Sequence, residues 1–130
     1  MRVLVDSSVW IDHFKARNAT LVGVLAAGQA LCHPLVRLEV SLGTPPQRRD
    51  VVALLAKLAS TPVASAEELM ALVERRALFG RGCGAVDVSL LASTLLSPAT
   101  ALWTLNKRLA TLADELGCGF RAPQRARGGD

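Results

Sequence analysis

Hydrophobic and polar positions divide the chain into short apolar runs and longer stretches with helical spacing. The first apolar run predicts a strand over residues 2–5, and the residues after it favour a helix near 7–14. A second helix begins at about Ala19 and ends by Gly28, and residues 29–33 are typical of a second strand. The chain therefore begins in the order strand, helix, helix, strand.

Capping residues mark the helix boundaries in the middle of the chain. Pro34 suits the first position of a helix, which Gly43 then ends. Thr44 and Ser65 are each followed by Gln or Glu three residues later, which is the pattern of a helix N-cap. The predicted helices here cover residues 34–42, 47–59 and 69–79.

The last third of the chain opens with a loop that contains three glycines, Gly80, Gly82 and Gly84. The pattern then predicts a helix over 85–96, a strand over 101–105, a helix over 106–116 and an edge strand at 118–120.

Strands that alternate with helices indicate an α/β fold with a mostly parallel central sheet and helices on both faces. We expect one α/β/α domain over residues 1–120. Residues 121–130 are rich in Arg, Gly and Pro, and we expect them to form a basic, disordered tail.

Length and composition agree with a single globular domain. The chain has 130 residues, of which 51% are hydrophobic, and its Leu, Val and Ala suit helices packed on a buried sheet. No apolar run approaches the roughly 20 residues needed to cross a bilayer, and no basic and apolar leader precedes the first strand. We expect no membrane association and a cytoplasmic location.

The cysteine spacing and the net charge limit the kinds of site and partner that we expect for this chain. Cys32, Cys83 and Cys118 are odd in number and widely spaced, which argues against a disulfide framework or a thiolate zinc site and favours reduced thiols. The net charge of +4 and pI of about 9.5 favour polyanionic partners, although a solvated basic surface explains the same charge.

Asp6 and Glu39 are acidic residues at positions where the pattern leads us to expect something else. Asp6 closes the first strand, where it is either a functional carboxylate or the N-cap of the next helix. Glu39 lies at helical spacing from Leu35 and Leu42, so we expect it on the inward face. A buried carboxylate needs compensation, and a structural ion pair with Arg37 or another basic residue in the core is the alternative to function.

Asp87 repeats this anomaly, because one helical stripe continues from it at positions +3, +4, +7 and +8, which are Leu90, Leu91, Thr94 and Leu95. It also lies in the first turn of its helix, where an acid is stabilised by the helix dipole. Thr104 and Asn106 are polar residues at the end of the next strand, and a simple helix cap is the alternative for Asn106.

These side chains could meet in one cleft at the carboxyl edge of the sheet. Converging carboxylates repel one another unless a cation binds, and oxygen ligands favour Mg²⁺ or Mn²⁺. Such a metal activates water and neutralises charge on phosphate, which makes phosphodiester hydrolysis the natural reaction. A small-molecule phosphohydrolase would use similar groups, but the segment from Asp6 to Ser8 lacks the second Asp of a D-x-D nucleophile pair.

Four segments, in this order along the chain, together resemble a PIN domain of the VapC toxin group. They are Leu4-Val5-Asp6-Ser7-Ser8-Val9-Trp10-Ile11, Arg37-Leu38-Glu39-Val40, Gly84-Ala85-Val86-Asp87 and Leu102-Trp103-Thr104-Leu105-Asn106. The resemblance extends from about residue 2 to Phe120. It implies a metal-dependent endoribonuclease, the toxin of a type II toxin–antitoxin pair, usually dimeric and inhibited by a VapB-like antitoxin that occupies the acidic groove.

The resemblance also implies roles for single residues. Asp6 and Asp87 match the metal-binding acids, Glu39 matches the acid on the third helix, and Thr104 and Asn106 match the polar end of the fourth strand. Many relatives have Asp where this chain has Asn106, so the site carries one charge fewer. We expect a second metal to bind more weakly or only with substrate present, and the alternative is that Asn106 orients water or a carboxylate. The alternative function is a catalytically weak PIN-like module that binds RNA or an antitoxin through its basic surface.

Overall fold

The computed structural model describes residues 1–122, so the predicted tail lies outside the described residues except for Arg121 and Ala122. Seven helices and four strands occur within this range, which confirms the α/β class. In chain order they are β1 (Arg2–Val5), α1 (Ser7–Lys15), α2 (Ala19–Ala26), β2 (Ala30–Cys32), α3 (Pro34–Leu42), α4 (Arg48–Lys57), β3 (Ala59–Ser60), α5 (Ala66–Arg75), α6 (Ala85–Leu96), β4 (Thr100–Trp103) and α7 (Lys107–Glu115).

The four strands form one parallel sheet in the order β3-β2-β1-β4. β1 pairs with β2 on one side and with β4 on the other, where Val5 lies opposite Trp103. Because the chain moves outward in opposite directions from β1, the carboxyl ends of β1 and β4 border a topological switch point. Open α/β sheets bind ligands at such a point.

The core surrounds β1 and the long helix α6. Leu4 and Val5 have no exposed surface, and neither does Trp10 on α1. Every residue of α6 from Val88 to Thr94 is buried. Strands that are buried on both faces are typical of a parallel sheet covered by helices. The apolar residues of the chain therefore form the core between sheet and helices, as the sequence predicts.

The structure differs from the predicted elements around α4. Thr44 does not cap this helix, which begins at Arg48 after Gln47 in a left-handed conformation with φ of 56°. The left-handed conformation of Gln47 interrupts right-handed helical geometry, so the helix starts only at the next residue. The predicted end at residue 59 is also wrong, because Ala59 and Ser60 form the short strand β3 instead.

The end of α5 also lies earlier than its predicted boundary at residue 79. The helix stops at Arg75, and Ala77 adopts φ of 52°. The backbone N–H of Leu78 then donates to the carbonyl of Val73, and Leu78 is buried. This is a Schellman ending, which usually places Gly where this chain has Ala77.

The predicted edge strand at 118–120 forms a single parallel bridge between Gly119 and Leu102.

The cysteines are free thiols, and burial raises the pKa of Cys32 and Cys118, which keeps both neutral. No helix within the described range is long and apolar enough to cross a membrane.

His33 follows β2 and caps α3 through an imidazole nitrogen. Nδ1 accepts the backbone N–H of Leu35 at 3.0 Å, so the proton of the neutral ring lies on Nε2, which has no partner within the described residues. Burial lowers the pKa of His33, and the charge of Arg37 lowers it further. Protonation of Nδ1 would remove the cap and place a charge in the core.

The pH dependence of stability tests this state of His33. Because its folded pKa lies below its ordinary value of 6.5, the unfolded chain binds more protons, and the free energy of unfolding should fall as pH decreases through 6.5. Well above pH 6.5 the imidazole is neutral in both the folded and the unfolded chain, so His33 no longer makes the free energy of unfolding depend on pH. His33→Asn keeps an acceptor for the cap and removes the titration, so urea unfolding between pH 5 and 8 should vary less with pH than in the wild type. Equal slopes for the two proteins would contradict a neutral, buried His33.

Candidate active site

Asp6 lies at the carboxyl end of the central strand and is 93% buried, with 7% of its surface exposed. Its Oδ1 accepts the backbone N–H of Ser7 at 2.8 Å, so it is the N-cap of α1. Its Oδ2 accepts the hydroxyls of Ser8 at 2.8 Å and Thr104 at 2.7 Å. The capping interpretation is therefore correct, but a cap requires only the first of these bonds.

The two hydroxyls that bind Asp6 are oriented by backbone donors. Ser8 Oγ accepts the N–H of Leu105 at 3.0 Å, and Thr104 Oγ1 accepts the N–H of Asn106 at 3.0 Å. Each hydroxyl has one proton, and since its oxygen already accepts from the backbone, that proton is directed at Asp6. The end of β4 is thereby tied to the end of β1 through Asp6.

Ser7 connects Asp6 to Glu39. Its hydroxyl donates to Glu39 Oε1 at 3.0 Å, whereas the distance from the same hydroxyl to Asp6 Oδ1 is 3.5 Å. The single proton of the hydroxyl is better placed on Glu39. Asp6 Oδ1 therefore accepts one short hydrogen bond and keeps a lone pair for another ligand.

The inward position predicted for Glu39 is wrong. Glu39 is exposed, and Leu42, which suggested an apolar face, is 76% exposed. The buried face of α3 is formed instead by Val36 and Val40, one turn apart. Glu39 stands beside this face, where solvent hydrates its charge.

The ion pair between Arg37 and Glu39 also does not form. The Arg37 guanidinium donates to the carbonyls of Leu55 and Leu58 and to the Ser60 hydroxyl, so it binds the end of α4 and the strand after it. Within residues 1–122, the ion pairs join Arg81 to Glu115 and Arg121 to Asp114. The charge of Glu39 is left uncompensated by any of these cations.

Asp87 lies half-buried in the first turn of α6. Its Oδ2 accepts the backbone N–H of Gly84 at 3.3 Å, so Asp87 takes part in capping the amino end of α6, which is the structural alternative to a functional role. The stripe that follows is buried at Leu90 and Leu91, as the spacing predicts, but Leu95 is 39% exposed. No hydrogen bond connects Asp87 to Asp6 or Glu39 within the described part of the chain.

Asn106 is exposed and caps α7, since its Oδ1 accepts the backbone N–H groups of Arg108 and Leu109 at 3.0 and 3.2 Å. The simple cap is therefore its observed role. Thr104, by contrast, is buried and bonded to Asp6. Thr104 and Asn106, which the sequence analysis grouped at the end of one strand, thus lie in different environments.

The donors at this edge of the sheet are carboxylates, hydroxyls and amide oxygens. This chemistry fits a hard cation such as Mg²⁺ and does not fit zinc, which prefers nitrogen and sulfur. Within residues 1–122, no three side chains of Asp, Glu, His or Cys lie close enough together to complete a metal site.

The sequence interpretation missed the role of Ser7 and Ser8. Their hydroxyls link Asp6 to the acid of α3 and to the end of β4. The signal was present, because two hydroxyl residues directly after a strand-end acid can bond side chains on either side of it. Sequence spacing alone did not show which neighbours they reach.

Comparison with known proteins agrees with this architecture. None of the protein-family models matches the chain. Ribonuclease VapC32 from two strains of Mycobacterium tuberculosis, CDC 1551 / Oshkosh and ATCC 25618 / H37Rv, is 49% identical to the chain over 115 residues. The match covers 88% of this chain and 93% of each relative. With this identity over nearly the whole length, and with an acid buried at the switch point of a parallel sheet, the chain belongs to the VapC toxin group of PIN-domain ribonucleases.

Proposed function

We propose that this protein is a Mg²⁺-dependent endoribonuclease, the toxin component of a type II toxin–antitoxin system, in which Mn²⁺ can replace Mg²⁺. The observation that carries the proposal is Asp6, a buried carboxylate at the switch point that accepts three hydrogen bonds and retains a free lone pair on Oδ1. Membership of a ribonuclease family supports RNA as the substrate. A cytoplasmic location, where RNA and an antitoxin are both present, belongs to the same proposal.

Asp6 and Asp87 are the residues that would hold the cation. A bound Mg²⁺ would lower the pKa of a water molecule and neutralise the charge that develops on the phosphate. Thr104 and Ser8 fix the orientation of the Asp6 carboxylate, so this ligand needs little rearrangement. Asp87 stands at the amino end of α6, where its own helix stabilises its charge.

Glu39 is suited to accept the proton of the attacking water. It is exposed and can exchange that proton with solvent, while Ser7 holds Oε1 on the side towards Asp6. In the reaction a water oxygen bonds to phosphorus and one P–O bond of the RNA backbone breaks. Asn106 lies at the same edge of the sheet, and the exposed Lys107 beside it can bind the RNA backbone.

A VapB-like antitoxin is the proposed inhibitory partner. A groove beside Glu39 passes between α1 and the segment after α3, and its lining is mostly apolar. Ile11, Phe14, Val40 and Pro45 contribute to it. An antitoxin segment with apolar side chains and one basic side chain would fill the groove and neutralise Glu39.

RNA cleavage by the purified protein, freed of any antitoxin, tests the activity. With total RNA and Mg²⁺ or Mn²⁺, we expect discrete products that EDTA abolishes. Asp6→Asn and Asp87→Asn should each lower the cleavage rate on the order of a hundredfold or more, because each removes a charged ligand. Glu39→Gln should lower it about 10²- to 10⁴-fold through loss of the general base.

Asp12→Asn is the matched control, because Asp12 is exposed on α1 and takes no part in the described hydrogen bonds of the site. It should cleave as fast as the wild type, and thermal melting should show that all variants are folded. RNA that is retained on a filter but not cleaved with either metal would contradict the proposal. That result would favour the catalytically weak RNA- or antitoxin-binding module.

We also propose that the chain forms a homodimer through α5 and the adjoining part of α6. Met70 is 61% exposed and Leu96 is 49% exposed, and a groove lined by Ala71, Leu72 and Ala92 lies between the two helices. α5 carries Glu67 and Glu68 in its first turn and Arg75 and Arg76 at its end. Two antiparallel copies of α5 related by a two-fold axis would place each acidic end beside a basic end.

Molar mass in solution tests this interface. The wild type should have twice the chain mass of 13.8 kDa in light scattering after size exclusion, and Met70→Lys should approach the mass of one chain. A charge at the centre of an apolar contact is costly unless it is paired. Leu38→Lys introduces the same charge at an exposed leucine of α3 and should leave the mass unchanged. Equal masses for the wild type and Met70→Lys would contradict this interface.

A further inference from the structure

The connection between α5 and α6 contains the three glycines and ends at Gly84, the N-cap of α6, three residues before Asp87. Gly80 and Gly82 adopt positive φ values of 70° and 77°, which residues other than Gly rarely adopt. Apart from a contact between Cys83 Sγ and the Leu78 carbonyl, the side-chain bonds described for residues 79–83 reach α7. The path of this loop therefore depends on a helix that is distant in sequence.

Two points on α7 hold the loop. The Arg81 guanidinium donates to both carboxylate oxygens of Glu115, at 3.1 and 2.7 Å, and the Arg108 guanidinium donates to the carbonyl of Gly82 at 3.3 Å. Arg108 and Glu115 are seven residues apart, so they lie two turns apart on one face of the helix. We call these contacts the α7 clamp.

The backbone at Gly82 lies close to Arg108. A Cβ added there would lie 2.7 Å from Arg108 Nη1, so the end of that flexible side chain would have to move, and the positive φ of 77° itself favours Gly. The loop backbone thus runs directly against the Arg108 side chain. Gly82 and Arg108 together fix the height of the loop along α7.

The α7 clamp connects the two proposed metal ligands. The N-cap of α7 is Asn106, two residues after Thr104, and Thr104 donates to Asp6. At the other end of the connection, Gly84 donates its N–H to Asp87. Within the described residues Asp6 and Asp87 share no hydrogen bond, so their separation depends on the elements between them. These are the buried side chains of α6 from Val88 onward, which pack in the core, and the α7 clamp, which holds the loop before α6.

We propose that Arg81 and Glu115 are positioning residues which, with Arg108, set the separation of Asp87 from Asp6 and thereby the affinity of the site for its divalent cation. This inference rests on the proposed function of Asp6 and Asp87 as metal ligands. An exposed ion pair contributes little to global stability, whereas a displacement of about 1 Å at a reacting centre costs up to about a hundredfold in rate. The α7 clamp should therefore affect metal binding far more than folding.

The charges needed for the α7 clamp are present at ordinary assay pH. The hydrogen bonds from Arg81 hold the pKa of Glu115 below its usual value, and those to Glu115 raise the pKa of Arg81. Both groups are therefore ionised near neutral pH. Substitution, rather than pH, is the way to open the α7 clamp.

Mn²⁺ binding without RNA provides the test, with free Mn²⁺ measured by electron paramagnetic resonance in a titration of the full chain. Arg81→Glu places two like charges together and should weaken Mn²⁺ binding about tenfold, and Glu115→Gln should weaken it less. The exchanged pair Arg81→Glu with Glu115→Arg should restore most of the affinity. The Mn²⁺ concentration that half-saturates RNA cleavage should change in parallel, while the KM for RNA at saturating Mn²⁺ stays constant.

Asp114→Asn is the matched control, because it removes a charge from the adjacent position of α7, where Asp114 pairs with Arg121 at 3.9 Å and not with the loop. It should bind Mn²⁺ as the wild type does, and melting curves should be similar throughout. Unchanged Mn²⁺ binding in Arg81→Glu, or an equal loss in Asp114→Asn, would overturn the α7 clamp while leaving the proposed nuclease intact. A wild-type protein that neither binds Mn²⁺ nor cleaves RNA would overturn the proposed function itself.

Discussion

The hydrogen bonding of one buried carboxylate, Asp6, is the constraint on which the site depends. An ionised group that loses its water is stable only if other donors replace it, and a buried charge without them costs several kcal/mol, on the order of the penalty for an unpaired ion. Here the donors are the N–H of Ser7 and the hydroxyls of Ser8 and Thr104. Since Thr104 comes from β4, the interactions that make Asp6 tolerable also join the two strands that border the switch point.

This arrangement divides the site into a fixed part and a part with fewer constraints. Asp6 and Thr104 are buried and held by several bonds. Among the described residues, Glu39 is exposed and receives one side-chain hydrogen bond, from Ser7, and the Asp87 carboxylate accepts one hydrogen bond, from the N–H of Gly84. Asp6 is therefore fixed by its own hydrogen bonds, whereas the positions of Glu39 and Asp87 depend mainly on the helices that carry them and, for Asp87, on the loop that α7 holds.

The regular elements were predictable where local chemistry determines them. Gly28 and Gly117 end their helices in the left-handed conformation that the sequence suggests, and Ser65 with Glu68 forms the predicted capping box. α5 ends with the same geometry at Ala77, but an alanine gives no such signal, so its boundary was missed. The two-residue strand β3 is defined by its partner β2 rather than by its own residues.

The candidate site was predictable in part for a related physical reason. Asp6 could be found because the end of a central strand is buried whatever surrounds it. The exposure of Glu39 could not, because it depends on which side of α3 packs against the body of the protein, and Leu42 pointed to the wrong side. The pairing of Arg81 with Glu115 spans 34 residues, and sequence spacing gives no information on such contacts.

Asn106 shows how a structural role and a charge can be separated. Its Oδ1 accepts two backbone N–H groups of α7, which is the whole requirement for a helix cap, and an aspartate would satisfy it equally well. The amide therefore keeps the geometry that follows Thr104 while it removes one negative charge from this edge of the sheet. Cation affinity rises with the number of nearby carboxylates, so a site with Asn106 has less attraction for a second cation than one with Asp at that position. In the proposed mechanism, the substrate phosphate would then supply more of the oxygen ligands and of the negative charge for a second cation.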